Sequence, residues 1–321
     1  MRILFVTSSR IGDAVLSTAL LAHVIERHPG ARLTIACGPA AAPLFEAVPG
    51  LDRVIVLVKR RWGGHWLSLW AATVGTRWDL VVDLRASVLA WTLWARERRV
   101  FRHDRVLGHR LRQLASVFGL DPPPNPRLWT ATRHDEAAAR LIPEGRPVLA
   151  LGPTANWPRK TWPADRFSEL ARRLTGPMGI FPDARVAVFG GPGEREAARP
   201  VIEALAPDRR IDLVGRVDLL TAFACLRRCA FFIGNDSGLM HLAAAAGIPT
   251  LGLFGPSKEQ LYAPWGAFAA ALRTPERYDE LVGGPGYDRF VPQSLMLGLT
   301  VDAVARATED LWARAGRRSP V

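Results

Sequence analysis

Lysine is nearly missing from this chain. Of 42 basic residues only Lys59, Lys160 and Lys258 are lysines, so arginine carries almost all of the positive charge. Cysteine is equally scarce: Cys37, Cys225 and Cys229 are an odd number with no further Cys or His at metal-ligand spacing, which leaves no pattern for a metal site. Cys225 and Cys229 share one helical face and read as small buried apolar residues. No run of eighteen apolar residues occurs, which excludes a membrane-spanning helix, and Met1 is followed directly by a strand rather than by a leader. The expected location is therefore cytoplasmic. The G-x-G-x-x-G fingerprint is also missing: only Gly12 follows the first strand, and Gly190-Gly191-Pro192-Gly193 has the wrong spacing, which argues against a dehydrogenase.

What is present is a regular alternation of strands and helices over 321 residues, enough for two domains with real cores. The pattern predicts strands over 2–7, 32–37, 54–58 and 80–84, with helices over 14–27 and 40–47. A second alternation predicts strands over 148–151, 186–189 and 211–213, with helices over 163–174, 194–206 and 219–227, and then a strand, a polar turn and a helix within 231–249 and a further strand within 250–257. Short buried runs separated by helices indicate parallel sheets with right-handed crossovers. The pattern thins between 119 and 146, around Asp121-Pro122-Pro123-Pro124-Asn125-Pro126. The domain boundary is expected near residue 145, giving domains 1–145 and 146–321.

The net charge of +12 is uneven, and between Lys59 and Arg112 twelve basic residues face four acidic ones. The same stretch holds Trp62, Trp66, Trp70, Trp78, Trp91 and Trp94, six of eleven tryptophans. Trp62, Trp66 and Trp70 recur at four-residue spacing, as on one helical stripe. Aromatic rings beside cations suit the headgroup layer of an anionic membrane. The competing reading is a Trp-rich core stripe beneath a solvated arginine face. No nucleic-acid module accompanies the basic patch, so no nucleic-acid partner is expected.

The most informative stretch is 231–249, in which a buried run delivers Asn235-Asp236-Ser237-Gly238 to a helix closed by Gly247 and Pro249. Its first N–H groups lack intrahelical partners and lie at the positive end of the helix dipole, so the turn can cradle a phosphate, with Ser237 and His241 adding polar groups. The plainer reading is that Asp236 or Ser237 is a helix cap. A strand ending in Gly255-Pro256-Ser257 follows, and would open at the same carboxyl edge, where α/β sheets bind ligands. Asp13, in the loop after the first strand, has the same two readings: a carboxylate at that edge, or a cap for a helix starting at Ala14.

Three stretches together resemble glycosyltransferase family 9, the bacterial heptosyltransferases of the lipopolysaccharide inner core. They are Gly12-Asp13 with Thr18, Lys160-Thr161-Trp162-Pro163 with Phe167, and Asp236-Ser237-Gly238 with His241-Leu242-Ala243-Ala244-Ala245 and Gly247, followed by Leu253-Phe254-Gly255-Pro256-Ser257. The resemblance covers roughly residues 1–265. It implies the α/β architecture called GT-B, two doubly wound Rossmann-like domains facing a cleft, with the last helix (301–314) packing back toward the first domain. It implies an inverting, metal-independent transferase without cofactor, moving heptose from ADP-heptose to a lipid-linked lipopolysaccharide-core acceptor, at work on the inner face of the inner membrane. Carried over by position, Asp13 is the general base and Lys160 the cation beside the leaving diphosphate. Thr154, Asp236, Ser237, Gly238 and His241 meet the donor, and Arg85 and Ser87 the acceptor. One departure stands out: after the fourth strand the family has Asp-x-Gln-Gly or Asp-x-Arg-Gly, whereas this chain has Asp83-Leu84-Arg85-Ala86. The alternatives are a family member using another nucleotide sugar and, from a different class, a nucleotide-binding protein without turnover.

Overall fold

The computed structural model describes residues 1–102, 107–283, 291 and 293–316. The chain forms two compact units, the first Met1–Ala131 and the second beginning at Thr132.

In the first unit the elements run β1 (Arg2–Val6), α1 (Ile11–Arg27), β2 (Arg32–Cys37), β3 (Leu51–Val56), α2 (Gly64–Thr73), β4 (Trp78–Asp83), α3 (Leu89–Thr92), β5 (Ala95–Val100) and α4 (Arg110–Ala115). The strands pair in parallel in the order β3-β2-β1-β4-β5. Phe5 lies level with Ile35 on one side and Val82 on the other, all buried, as expected of strands covered on both faces. The chain walks outward from β1 to β3, then returns to β4 beside β1. Right-handed crossovers therefore place α1 on one face and α2 and α3 on the other.

Several expectations need correction here. Helix α1 begins at Ile11, not Ala14, so Asp13 lies inside its first turn; the N-cap is Arg10. The helix expected over 40–47 shrinks to a 3-10 turn, Ala42–Phe45, with Pro43 in its first turn. Strand β5, Ala95-Arg96-Glu97-Arg98-Arg99-Val100, was not foreseen. It is an edge strand with exposed charges, so it has no buried run to announce it, and such charges also protect the edge from further pairing. The expected Trp stripe is divided as well. Trp62 lies outside α2 at φ +55°, Trp66 is half-buried against the core, and Trp78 is buried.

The second unit runs α5 (Thr132–Leu141), β6 (Val148–Gly152), α6 (Ala164–Thr175), β7 (Arg185–Val188), α7 (Arg195–Glu203), β8 (Arg210–Asp212), α8 (Leu219–Leu226), β9 (Phe231–Asn235), α9 (Gly238–Ala245), β10 (Thr250–Phe254), α10 (Glu259–Tyr262), β11 (Ala269–Arg273), α11 (Tyr278–Val282) and α12 (Val301–Arg314). Its sheet is parallel, in the order β11-β10-β9-β6-β7-β8, with the reversal between β6 and β9. Gly152, Gly234 and Gly252 stand in one row across β6, β9 and β10. The Phe232 ring fills the space over the first two, since a Cβ on either would come within 2.7 Å of it.

The boundary expected near 145 moves to 131/132, because α5 packs against α8 of the second unit. The last helix lies over α6, β10 and β11, burying Val304, Ala305 and Leu311, with Trp312 against the rings of Phe181 and Phe231 at 4.8 and 6.3 Å. Its buried face thus packs within the second unit. Among the described residues no helix is long and apolar enough to cross a membrane.

Candidate functional site

In open parallel sheets the loops diverge where the strand order reverses, and that opening is where ligands bind. Each unit has one such point, and the residues singled out from the sequence fall at the two of them.

In the second unit, β6 and β9 meet at the reversal. Thr154 sits two residues beyond β6 and is buried. Lys160 ends a 3-10 turn, Pro158–Lys160, and its Nζ lies 3.2 Å from Asp236 Oδ2, both side chains being largely buried. Two hydrogen bonds hold the lysine loop in place: the Trp162 N–H donates to Asn235 Oδ1 at 2.9 Å, and the Trp162 indole donates to the Leu299 carbonyl at 2.8 Å. With Trp162 wholly buried, the loop has little freedom. Gly190, in the glycine-rich turn after β7, approaches closely; a Cβ there would lie 3.4 Å from Thr154 Oγ1.

Ser237 is the N-cap of α9, yet its hydroxyl makes no capping bond. The capping reading therefore fails for Ser237, and Asp236 is engaged by Lys160 instead. Thr154 Oγ1, Asn235 Nδ2, Ser237 Oγ and Ser257 Oγ are all buried without a hydrogen-bond partner among the described residues. Buried polar groups are normally satisfied, so four orphans at the carboxyl ends of β6, β9 and β10 point to a polar ligand that would complete them. His241 lies one turn into α9 and is buried. Asn235 and Ser257 were not assigned from sequence. In the sequence Asn235 is only the first residue of the polar turn; the Trp162 N–H bond to its Oδ1 and its orphaned Nδ2 set it apart.

In the first unit, β1 and β4 meet at the reversal. Asp13 in the first turn of α1 faces Arg110 of α4, with Oδ1 and Nε 3.9 Å apart, and Arg110 itself stacks over the Phe101 ring at 4.5 Å. Arg110 was part of the basic patch but carried no role in the sequence reading. Beyond β4, Asp83 is fully buried and accepts the N–H groups of Arg85 and Ser87, at 2.8 and 2.9 Å, and the Ser87 hydroxyl. Burial pushes the Asp83 carboxyl above the usual range, against the pull of these hydrogen bonds and of Arg85. Ser87 thus builds the loop by donating inward, whereas Arg85 reaches Ser9 Oγ at 3.2 Å and stacks over Trp66 at 5.7 Å. Ala86, between them, has φ +53°, the left-handed conformation that suits glycine. The departure seen in the sequence is a departure in backbone strain.

Among the described residues no group of three or more His, Cys, Asp or Glu side chains is arranged to hold a metal ion. The cysteines are buried and free, and burial pushes the thiols of Cys37 and Cys225 up to about 12.

A family model described as glycosyltransferase family 9 (heptosyltransferase) matches residues 75–281. The chain is 26% identical over 324 residues to lipopolysaccharide heptosyltransferase 2 of Salmonella typhimurium, covering 88% of this chain and 91% of that protein. Two solved structures share the fold. A family 9 glycosyl transferase from Veillonella parvula superimposes with a TM-score of 0.78 at 22% identity, over 97% of each chain. The ADP-heptose lps heptosyltransferase II of E. coli does so with a TM-score of 0.74 at 22% identity, over 98% of this chain and 100% of that one.

Proposed function

The chain belongs to glycosyltransferase family 9 and is a glycosyltransferase with two Rossmann-like domains of the GT-B type; from that premise we propose that it transfers heptose from ADP-heptose to a saccharide of the lipopolysaccharide core. The donor and acceptor are those named for its relatives. The observation that supports the reading is the set of orphaned polar atoms at the carboxyl ends of β6, β9 and β10, together with the Lys160–Asp236 pair, because unpartnered donors and a cation suit a phosphate.

In this account the diphosphate of the donor lies at the start of α9, where the helix dipole and free N–H groups stabilise it. Thr154, Ser237 and Gly238 meet its oxygens, with His241 behind them. Asp13 takes the proton from the acceptor hydroxyl as the new C–O bond forms at the anomeric carbon. The bond to the diphosphate breaks, its electron pair leaves with ADP, and Lys160 offsets the charge that develops there. Attack from the side opposite the leaving group inverts the anomeric centre. No step needs a metal, since the lysine and the helix terminus supply the positive charge. The second unit holds the donor and the first unit the acceptor, with Arg85 contributing a cation toward an anionic core saccharide.

A thermal-shift panel of ADP, UDP, GDP, dTDP and CMP, each with and without EDTA, tests the donor half. A ligand that binds only the native state raises its melting temperature. The expected result is stabilisation by ADP, unchanged by EDTA. Preference for another nucleotide would reassign the donor, and strict dependence on magnesium or manganese would overturn the metal-free step.

A further inference from the structure

We propose that residues 294–299 form a clamp on Lys160, with Ser294 and Arg166 as positioning residues for that lysine. Lys160 enters as the cation beside the donor's diphosphate, and the clamp rests on that reading. Residues 294–299 lie beyond the stretch 75–281 that the family model matches.

A lysine is a compact charge on a flexible four-carbon stem, so the place of its ammonium depends on how firmly its backbone is held. Lys160 ends a 3-10 turn of only three residues, Pro158–Lys160, whose own hydrogen bonds give little rigidity. The segment leading into α12 supplies the rest. The Leu295 N–H donates to the Arg159 carbonyl at 2.8 Å, and the Ser294 hydroxyl donates to the Thr161 carbonyl at 2.6 Å. The carbonyls on either side of Lys160 are therefore held by two successive residues of one segment. The Ser294 oxygen also accepts the Met296 N–H at 3.1 Å, which fixes the direction of the hydroxyl.

The segment is itself anchored. Met296 is fully buried against the loop after β10, where a Cβ on Gly255 would lie 2.6 Å from its Cγ. The Leu299 carbonyl accepts from the Trp162 indole at 2.8 Å and from Arg166 Nη1 at 2.5 Å, and the same nitrogen reaches the Leu297 carbonyl at 2.7 Å. Thr300 then caps α12, its side chain accepting the Ala303 N–H at 3.2 Å. Hydrogen bonds thus run both ways across more than 130 positions of chain: Ser294 and Leu295 donate to the lysine loop, while Trp162 and Arg166 donate back. Loop carbonyls at a surface are commonly left to water. Here the two that flank the cation have fixed partners, which is what holding an ammonium at one point of a phosphate site requires.

The test is the affinity of the intact protein for ADP and for AMP, measured by calorimetry on wild type, S294A, S294T, R166M, K160M and S294A/K160M. Thermal melts check folding; should S294A fail to fold, R166M at the far end of the clamp supplies the same comparison. ADP carries the second phosphate that the lysine faces, and AMP lacks it. K160M should weaken ADP by roughly ten-fold or more and AMP far less, as for a hydrogen bond from a charged group. S294A and R166M keep the lysine but loosen its backbone. Each should weaken ADP roughly three- to ten-fold, the equivalent of one ordinary hydrogen bond, and leave AMP within about two-fold. S294T keeps the hydroxyl and should bind as wild type does. In S294A/K160M the serine change should add nothing to K160M, because the loosened loop no longer carries the cation. Wild-type ADP affinity in both S294A and R166M, beside a K160M that has lost it, overturns the clamp alone. Equal losses of ADP and AMP in those two variants, additive losses in the double variant, or an S294T as weak as S294A also overturn it. A K160M that binds ADP like wild type removes the lysine from the donor site, and the clamp's role falls with that reading.

Discussion

Breaking the Lys160–Asp236 pair should reveal a strongly coupled site. The two charges lie 3.2 Å apart with side chains only 14% and 12% exposed. Removing one partner of a fully buried pair costs about 3–5 kcal/mol, because the other charge is left buried and uncompensated. Each group here keeps roughly an eighth of its surface in water, so solvent screening brings the expected cost of K160M or D236N down to about 1–3 kcal/mol. The double variant K160M/D236N removes both charges and should be less destabilised than the sum of the single variants by about 1 kcal/mol or more. Urea denaturation of the four proteins closes the cycle. The same four proteins, titrated with ADP, separate stability from function: K160M and the double variant should both lose nucleotide affinity, since neither has the cation, even where the double variant regains stability. Additive stabilities, within about 0.5 kcal/mol, would refute the coupling. Undiminished ADP binding by K160M would remove the lysine from the donor site.

Two further outcomes follow from the loop after β4. Ala86 holds a left-handed conformation that costs a non-glycine residue about 1–2 kcal/mol, part of which glycine gives back through its freer unfolded chain, so A86G should be more stable by about 0.5–1 kcal/mol in urea denaturation. A loss of stability would show that Ala86 makes contacts outweighing its strain. Asp83 titrates with its folded-state carboxyl above the ordinary value of 3.8, so folding favours the protonated form, and stability falls as pH rises from that value through the raised one. The stability of wild type relative to D83N should therefore decline across that window; a flat difference between them would contradict the buried, raised carboxyl.

The central strands were legible because β1, β2, β4, β6, β9 and β10 are buried on both faces and read as short apolar runs. The edge strands β5 and β11 were not. Residues Arg96 to Arg99 lie at a sheet margin and carry no such run, while Ala269-Ala270-Ala271 is too short and too small in volume to stand apart from a helix. The boundary was placed late because α5 is polar over most of its surface, and its attachment to α8 is a tertiary fact that no local pattern carries. At the candidate site, Lys160, Asp236 and Ser237 could be named from their motifs. Arg110 beside Asp13 could not, since the partners stand 97 positions apart and only the fold brings them together. The orphaned groups of Asn235 and Ser257 were equally hidden, because an unsatisfied hydrogen bond exists only once every neighbour has its place. The opposite also holds for Ser87, an apparent acceptor contact whose hydroxyl turns inward to Asp83.

The account stands most directly on Asp13 as the base of heptosyl transfer, and the measurement is turnover of ADP-heptose by wild type and D13N on a lipopolysaccharide inner-core acceptor. Asparagine keeps the shape but cannot take the proton, so release of ADP should fall by roughly two to four orders of magnitude while nucleotide affinity stays within a few-fold. Near-normal turnover by D13N, or a wild type that leaves ADP-heptose intact, would contradict it.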